Sequence, residues 1–206
     1  MGASIILGIA GGSASGKSAV VQRLVEMLGE GRAVVISHDA YYHDLSYLPP
    51  ERRSEINVDH PDSLDTGLLV DHLGVLRSGR PVEVPVYDYV TQTRAASGVR
   101  VHPVPVVVVE GLFTLFDERL RAMMDLRAWV EVPAEERLRR RIHRDVRDRG
   151  RVQAEVERLH ARVVQPMHER FVEPTRVHAD MVIEGGGHNL TAIRGLADRV
   201  DALLGG

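Results

Sequence analysis

The chain alternates short apolar runs with longer segments of helical periodicity. Three runs, residues 4–10, 33–37 and 104–110, are rich in β-branched side chains and apolar at nearly every position. Such runs are typical of parallel strands that are buried on both faces of a sheet. Two further runs, residues 126–132 and 179–184, predict a fourth and a fifth strand.

Helical periodicity lies between these runs. In residues 17–28, one stripe of a helix carries Val20, Val21, Leu24, Val25 and Leu28, which is the spacing of an amphipathic helix. We predict further helices over residues 65–77, 134–147, 153–170 and 189–204. Strands that alternate with helices indicate a doubly wound α/β fold with a mainly parallel five-stranded sheet, which binds ligands beyond the carboxyl ends of its strands.

Residues 80–103 break this alternation. Pro81, Pro85 and Pro103 flank two short stretches, VEVPVYDYV and GVRVH. This pattern indicates an antiparallel β-hairpin that projects from the main sheet.

Composition narrows the class of protein. The 26 basic and 29 acidic residues give a net charge of −3, which does not favour binding to nucleic acid or to an anionic membrane. The chain has no cysteine, so disulfides and thiolate metal sites are excluded, as is usual in a reducing cytosol. No run approaches about 20 apolar residues, and the first residues do not read as a signal peptide. We therefore expect a cytoplasmic protein without nucleic-acid or membrane partners.

The stretch GGSASGKS, residues 11–18, fits the Walker A pattern between an apolar strand and an amphipathic helix. Glycines let backbone N–H groups surround phosphate oxygens, and the following helix adds its positive N-terminal end. Lys17, the one lysine of the chain, would reach the β- and γ-phosphates of ATP, and Ser18 would ligate Mg²⁺. The predicted ATP site comprises Gly11, Gly12, Ser13, Ala14, Ser15, Gly16, Lys17 and Ser18.

Two acidic residues at strand ends complete the predicted chemistry. Glu110 ends the most apolar run and is the candidate second ligand of Mg²⁺. Asp39 follows the second strand in SHDAYYHD and is well placed to accept a proton from an acceptor hydroxyl. An alternative interpretation takes His38, Asp39, His43 and Asp44 as a metal cluster.

Several motifs together are more specific than the Walker A pattern alone. GGSASGKS, SHDAYYHDL, INVDHPDSLD, PVEVPVYDYVTQTR, VVVVEG and RRRIHRDVRDRGR follow one another in an order and spacing that resembles the uridine-cytidine kinase family. The resemblance runs from about residue 5 to about residue 203. It implies one P-loop kinase domain over residues 1–206, with the hairpin insertion at about 80–103 and an Arg-rich helical lid at about 137–165.

The resemblance also implies an activity, which is transfer of the ATP γ-phosphoryl group to the 5′-hydroxyl of uridine or cytidine. ATP and Mg²⁺ would be the cofactors, with GTP as an alternative donor, and the partner would be a pyrimidine ribonucleoside. Members of this family further suggest a homotetramer and feedback by pyrimidine triphosphates.

At matching positions the resemblance implies particular roles. Asp39 would be the base on the 5′-hydroxyl, with Tyr42 beside it. Asp59 would take the ribose hydroxyls, because a carboxylate can accept from a vicinal pair. The remaining implied contacts are Tyr87 near the base, Arg141 and Arg151 on the nucleoside, Arg144 and Arg149 near the transferring phosphates, and His188 near the adenine.

The arginine-rich stretch supports the lid independently, because planar guanidinium forks suit a transition state whose charge is spread over several phosphate oxygens. Its glycine, Gly150, is a hinge candidate. We expect Arg137, Arg140 and Arg147 to lie on a solvated helix face, paired with Asp145 and Asp148.

The sequence departs from the family pattern where the base is read. Gln92 stands where many members have His. A carboxamide carries a donor and an acceptor and can pair with either uracil or cytosine, so uridine, cytidine or both remain open. Leu159-His160 stands where Gln-Tyr is frequent, which puts a second contact to the base in doubt.

Two other function classes stay open at this stage. One is a related P-loop kinase with another small acceptor, phosphoribulokinase-like or pantothenate kinase-like. Asp59 and the YDY stretch favour a ribosyl acceptor over these. The other is a nucleotide-dependent regulator or RNA-binding protein without transfer activity.

Overall fold

The computed structural model describes residues 4–53 and 56–205. Its central sheet has five parallel strands: β1 (Ile5–Gly11), β2 (Ala33–Ser37), β7 (Val106–Glu110), β8 (Leu126–Glu131) and β9 (Met181–Glu184). Their spatial order is β2-β7-β1-β8-β9. All five predicted strands are confirmed, with ends that differ by one or two residues. The order places the carboxyl ends of β1, β2 and β7 side by side.

Each face of this sheet is covered by helices. On one face, α1 (Lys17–Leu28) and α8 (Leu190–Gly205) pack through Val20, Leu24, Ile193 and Leu196 against Leu7 and Ile9. On the other face, α3 (Thr66–Arg77) and α4 (Glu118–Ala122) bury Leu69, Leu73, Leu76 and Leu120. These two apolar layers hold the strands rigidly, so side chains at the strand ends are fixed in position.

The predicted hairpin is present as two short antiparallel ladders. The strands β3 (Val82–Val84) and β6 (Val99–Val101) pair at its base, and β4 (Tyr87–Asp88) and β5 (Thr93–Arg94) pair nearer its tip. Val82, Val84 and Val101 are buried against the α3 face of the core. The base of the hairpin is therefore anchored to the sheet.

The Arg-rich region forms α5 (Ala134–Arg149), which ends at Gly150, followed by α6 (Gln153–Leu159). The single helix expected over residues 153–170 is not regular. It continues as a π-helical turn at His160–Val164, a short α7 (Gln165–Met167), a second π-helical turn at His168–Val172 and a 3₁₀ segment at Glu173–His178. Pro166 explains much of this, because it has no N–H to donate and its ring displaces the carbonyl four residues earlier.

Short helical segments occupy the loops near the strand ends. They are α2 (Pro50–Arg53) and 3₁₀ turns at His38–Tyr41, Pro61–Ser63 and Gly186–His188. In the part of the chain that the structure describes, no helix is sufficiently long and apolar to cross a membrane.

Candidate active site

The loop between β1 and α1 has the backbone shape of a phosphate cradle. Gly11 and Gly16 have φ values of 150° and 88°, in the region that favours glycine. A Cβ on Gly11 would lie 2.6 Å from the Val130 carbonyl oxygen, so a larger residue does not fit. Ala14 also has a positive φ, 61°, which costs an ordinary residue about 1 kcal/mol. The loop therefore has the glycine-dependent, strained turn that backbone anion-binding sites use.

Lys17 lies at the start of α1 and turns back over this loop. Its Nζ donates to the carbonyl oxygens of Gly11 and Gly12, each at 3.1 Å. Burial lowers the pKa of the Lys17 ammonium, while the carboxylates of Glu110 and Asp39 oppose that shift. Glu110 and Asp39 therefore favour the charged form of Lys17.

Glu110 and Ser18 are suitable ligands for Mg²⁺. Both line the cavity beside Lys17, and both offer the oxygen donors that Mg²⁺ prefers. Ser37, at the end of the neighbouring strand β2, donates from its Oγ to Glu110 Oε1 at 3.1 Å. This hydrogen bond fixes the Glu110 carboxylate at the carboxyl end of β7. The oxygen donors of Ser18 and Glu110 therefore fit Mg²⁺, which these two residues would hold.

Asp39 lies on the 3₁₀ turn directly after β2. Its Oδ1 is buried and has no hydrogen-bond partner among the described residues. Burial raises the pKa of the Asp39 carboxyl to about 6, with Glu110 and Asp59 adding to the shift and Lys17 opposing it. Asp39 also lines the cavity beside Lys17, where a carboxyl with a pKa near neutrality can take up a proton.

The alternative metal cluster around Asp39 finds no support. His38 is fully buried, and its Nε2 lies 3.1 Å from Thr66 Oγ1. Burial lowers the pKa of His38 to about 4, so it is a neutral core residue. Asp44 accepts hydrogen bonds from Ser46 instead. Within residues 4–53 and 56–205, no group of three or more His, Cys, Asp or Glu side chains could hold a metal.

Three tyrosines form an aromatic cluster on the hairpin side of the cavity. The ring centroid of Tyr42 lies 5.2 Å from that of Tyr87 and 6.4 Å from that of Tyr89, and the latter two are 5.3 Å apart. Burial raises the pKa of all three hydroxyls, so they are neutral donors. Such a cluster suits the flat face of a heterocycle.

Gln92 lies at the turn between β4 and β5 and also lines the cavity. Its φ is 55°, a left-handed conformation that a glutamine rarely adopts. The Leu45 amide donates to its carbonyl oxygen at 3.2 Å, which holds the turn against the loop after β2. Strained positions of this kind occur where a side chain must be aimed at a site.

One cavity of about 500 Å³ brings most of the predicted residues together. Asp59, on the loop before α3, lines it together with Arg141 and Arg151. Burial raises the pKa of the Asp59 carboxyl, and these two arginines oppose the shift. The predicted residues that line the cavity are Ser13, Ala14, Gly16, Lys17, Ser18, Asp39, Tyr42, Asp59, Tyr87, Gln92, Glu110, Arg141, Arg144, Arg149 and Arg151.

The other predicted residues lie outside this lining. Gly11, Gly12 and Ser15 are buried in the loop beneath. His188 is exposed at the end of a 3₁₀ turn. The glycines of that turn contact the loop closely, since a Cβ on Gly186 would lie 2.6 Å from the Ser15 carbonyl oxygen. The role of His188 near an adenine stays a prediction.

The arginines of α5 differ from the expectation of a solvated face. Arg147 does pair with Asp148 on the exposed side. However, Arg137 is only 7% exposed and donates to the Val132 carbonyl oxygen at 3.2 Å, and Arg140 pairs with Glu136 and lines the cavity. The expectation was wrong for these two because α5 packs onto the phosphate loop along that face.

Asp145 was expected to pair with these arginines on the solvated face, and that expectation was also wrong. Asp145 is fully buried, and its carboxylate faces Arg141, Arg144, Arg149 and Arg151. A signal was available in the i,i+4 spacing of Arg141, Asp145 and Arg149 along one helix. Tyr89 was likewise missed, although it lies two residues from Tyr87, the spacing that returns a side chain to the same face of a strand.

The fold and the phosphate cradle define a P-loop phosphotransferase. A family model described as Phosphoribulokinase / Uridine kinase family matches residues 6–192. The chain belongs to that family. It is 44% identical over 200 residues to a uridine kinase from Chloroflexus aurantiacus, covering 97% of this chain and 96% of that one. It is 42% identical over 204 residues to a uridine kinase from Staphylococcus epidermidis, covering 99% of each.

The fold is also similar to that of a phosphoribulokinase from Rhodobacter spheroides. The TM-score is 0.61 at 16% identity, and the likeness covers 88% of this chain and 70% of that one. The predicted fold class, an α/β P-loop fold with a parallel five-stranded sheet, is confirmed.

Proposed function

We propose that this protein is an ATP-dependent kinase that phosphorylates the 5′-hydroxyl of uridine, cytidine or both, giving UMP or CMP for pyrimidine salvage. The observation that carries the proposal is that Asp39, Lys17 of the phosphate loop and Asp59 line one cavity, where Lys17 and Asp59 both act on the Asp39 carboxyl. A base with a pKa near neutrality thus shares one cavity with a phosphate site and with a carboxylate suited to vicinal hydroxyls. The two relatives named above as uridine kinases support the same acceptor.

The proposed transfer is in line. Asp39 accepts the proton of the 5′-hydroxyl, and the O5′ oxygen forms a bond to the γ-phosphorus of ATP. The bond from that phosphorus to the bridging oxygen breaks, and the electron pair leaves with ADP. Lys17, Arg144 and Arg149 balance the charge on the equatorial and leaving oxygens. At neutral pH most of Asp39 is ionised, because its pKa is about 6.

Ser18 and Glu110 would hold Mg²⁺ in this scheme. A bound Mg²⁺ supplies charge neutralisation on the phosphate oxygens during transfer. ATP would occupy the phosphate loop, with His188 near the adenine, and GTP is the alternative donor in the proposal. Ser37 fixes the orientation of Glu110.

The nucleoside would lie between Asp59 and the aromatic cluster. Asp59 accepts from the ribose hydroxyls, Arg141 and Arg151 approach the nucleoside, and Tyr42 and Tyr87 flank the sugar and base. Gln92 reads the pyrimidine edge, and both uracil and cytosine satisfy a carboxamide. A homotetramer, feedback by pyrimidine triphosphates and one kinase domain over residues 1–206 stay predictions.

A substrate panel tests the proposal. Purified enzyme with ATP and Mg²⁺ is given uridine, cytidine, their 2′-deoxy forms, ribulose 5-phosphate or pantothenate, and ADP release is measured. We expect turnover with a ribonucleoside and weaker turnover with its deoxy form, because Asp59 then loses one of two hydroxyl partners. Turnover only with ribulose 5-phosphate or pantothenate would favour a related kinase. The absence of turnover with every acceptor would favour a non-catalytic nucleotide-binding regulator.

A further inference from the structure

The lid contains a buried carboxylate for which the proposed transfer gives no role. Asp145 is fully buried on the inward face of α5. Arg144 donates from its Nε to Asp145 Oδ1 at 2.9 Å, and its second guanidinium nitrogen lies 2.8 Å from the same oxygen. A charge-assisted pair of this geometry is among the stronger interactions available to a side chain.

Three further guanidinium groups face the same carboxylate at longer range. Nitrogen atoms of Arg149, Arg151 and Arg141 lie 3.5, 3.6 and 3.7 Å from its oxygens. Oδ2 of Asp145 and Nε of Arg141 have no hydrogen-bond partner among the described residues. One negative charge is therefore shared by four arginines, all of which line the cavity.

The backbone of Asp145 organises the same arginines. The amides of Gly150 and Arg151 both donate to its carbonyl oxygen. Gly150 has a φ of 63°, so the chain reverses there as in other helix C-caps. This turn brings Arg149 and Arg151, which lie on either side of Gly150, back toward the Asp145 carboxylate.

We propose that Asp145 is a positioning residue that holds Arg141, Arg144, Arg149 and Arg151 as one preorganised unit around the phosphate and nucleoside site. This inference rests on the proposed phosphoryl transfer. Four cations gathered at the end of α5 and just beyond it repel one another and would spread apart in water without a shared anion. One carboxylate neutralises only part of the charge of four guanidinium groups. The unit therefore stays positive, which suits the negatively charged phosphoryl group in the transition state.

A merely structural role and a positioning role predict different kinetics. The Asp145→Asn variant removes a negative charge, so electrostatic attraction for ATP does not fall, while the orientation of the arginines is lost. We expect kcat to drop at least about tenfold with an unchanged or lower KM for ATP. A lid that is only destabilised would lower kcat and raise KM together. Asp148→Asn, in which the exposed partner of Arg147 is changed, is the matched control and should retain both constants.

A double-mutant cycle with Arg144→Lys tests whether Asp145 acts through the arginines. If it does, adding Asp145→Asn to Arg144→Lys should lower kcat by much less than it does in the wild type. Full additivity of the two effects on log kcat would overturn the proposal.

A measurement on the unmodified chain covers the case in which Asp145→Asn does not fold. The side-chain Nε–H of Arg144, assigned in NMR spectra by its loss in Arg144→Lys, should exchange with solvent more slowly than that of a free arginine. Exchange as fast as a free arginine would contradict the inference. If the wild type phosphorylates no acceptor, the proposed function fails, whereas the exchange rate still tests Asp145.

Discussion

The guanidinium of Arg94, on strand β5 of the hairpin, donates to the Tyr42 carbonyl oxygen at 2.8 Å. It also donates to the Tyr41 carbonyl oxygen at 2.9 Å and faces Asp65 at 3.6 Å. Since Tyr41 and Tyr42 belong to the turn that carries Asp39, one side chain joins the hairpin to the candidate base. The nucleoside would bind between these two elements, so their spacing sets the fit of the acceptor.

Arg94→Met should separate the hairpin from this turn. The change removes two charge-assisted hydrogen bonds to backbone carbonyls, and we expect a loss of about 2 kcal/mol in unfolding free energy. KM for the nucleoside should rise about tenfold, while KM for ATP should change little because the phosphate loop is untouched. Steady-state kinetics with each substrate varied in turn measure this. Arg100→Met, on the exposed side of β6, is the control, and an unchanged nucleoside KM in Arg94→Met would refute the prediction.

Protonation of Asp39 should determine how the reaction rate falls at acidic pH. Because burial raises its pKa to about 6, kcat/KM for the nucleoside should fall as the pH is lowered through 6, where the base becomes protonated. Asp39→Asn should lose turnover by at least about 100-fold and retain ATP binding. Initial rates of ADP formation across pH 5–9 check the first point, and ATP affinity measured by calorimetry checks the second. A non-catalytic regulator would instead keep its function in Asp39→Asn.

The same carboxyl should lower stability at neutral pH. A carboxyl whose folded pKa lies above its unfolded value is most stabilising when protonated, and that stability is lost as the pH rises through the folded pKa. A shift from 3.8 to about 6 corresponds to about 2–3 kcal/mol. Asp39→Asn should therefore be more stable than the wild type at pH 8, and the difference should largely close near pH 4. Urea unfolding at both values measures it, with exposed Asp198→Asn on α8 as control. A pH-independent difference would contradict the mechanism.

Several parts of this molecule could be predicted from the sequence because local chemistry determines them. The apolar runs require burial on both faces, so five parallel strands follow. The glycine spacing around Lys17 requires one particular backbone turn. In contrast, Asp145 lies in a highly charged stretch, where charged residues usually face solvent. Its carboxylate is instead surrounded by four arginines, and Arg151 is among them only because the chain reverses at Gly150.

The irregular helix after Leu159 shows a second limit of sequence reasoning. Its charge and apolar periodicity predict a regular helix, but Pro166 removes a donor and the chain widens into π-helical turns. Both turns begin with a buried histidine, His160 or His168. The periodicity of apolar residues does not distinguish 3.6 from slightly more residues per turn over such short stretches. Which side chains of this segment face the cavity could therefore not be predicted.

Lys17→Arg should retain the fold and lose transfer. The Lys17 ammonium lies between two carbonyl oxygens at 3.1 Å each, a space that suits a compact ammonium and not a planar guanidinium. We expect kcat to fall at least about 100-fold, the scale of losing one preorganised donor at the transition state. Far-UV circular dichroism should be unchanged. Arg23→Lys on the exposed side of α1 is the control for exchanging the two cations elsewhere, and near-normal kcat in Lys17→Arg would refute the prediction.

The residue at position 92 should decide how strongly the site distinguishes uracil from cytosine. The backbone of Gln92 has a φ of 55°, and its carbonyl oxygen accepts from the Leu45 amide. The backbone from which its side chain extends is therefore fixed at the cavity wall. A carboxamide can turn to satisfy either base, whereas an imidazole in one tautomer presents a single pattern of donor and acceptor.

Gln92→His should therefore shift the uridine-to-cytidine ratio of kcat/KM, by about tenfold or more if a buried group is left unpaired on one base. Gln92→Leu is the matched control, because it keeps the size of the side chain and removes its polar atoms. It should raise KM for both nucleosides and leave their kcat/KM ratio nearly unchanged, because the carboxamide it removes pairs with either base. Competition between labelled uridine and cytidine in one reaction measures the ratio directly. An unchanged ratio in Gln92→His would mean that another residue of the cavity reads the base edge.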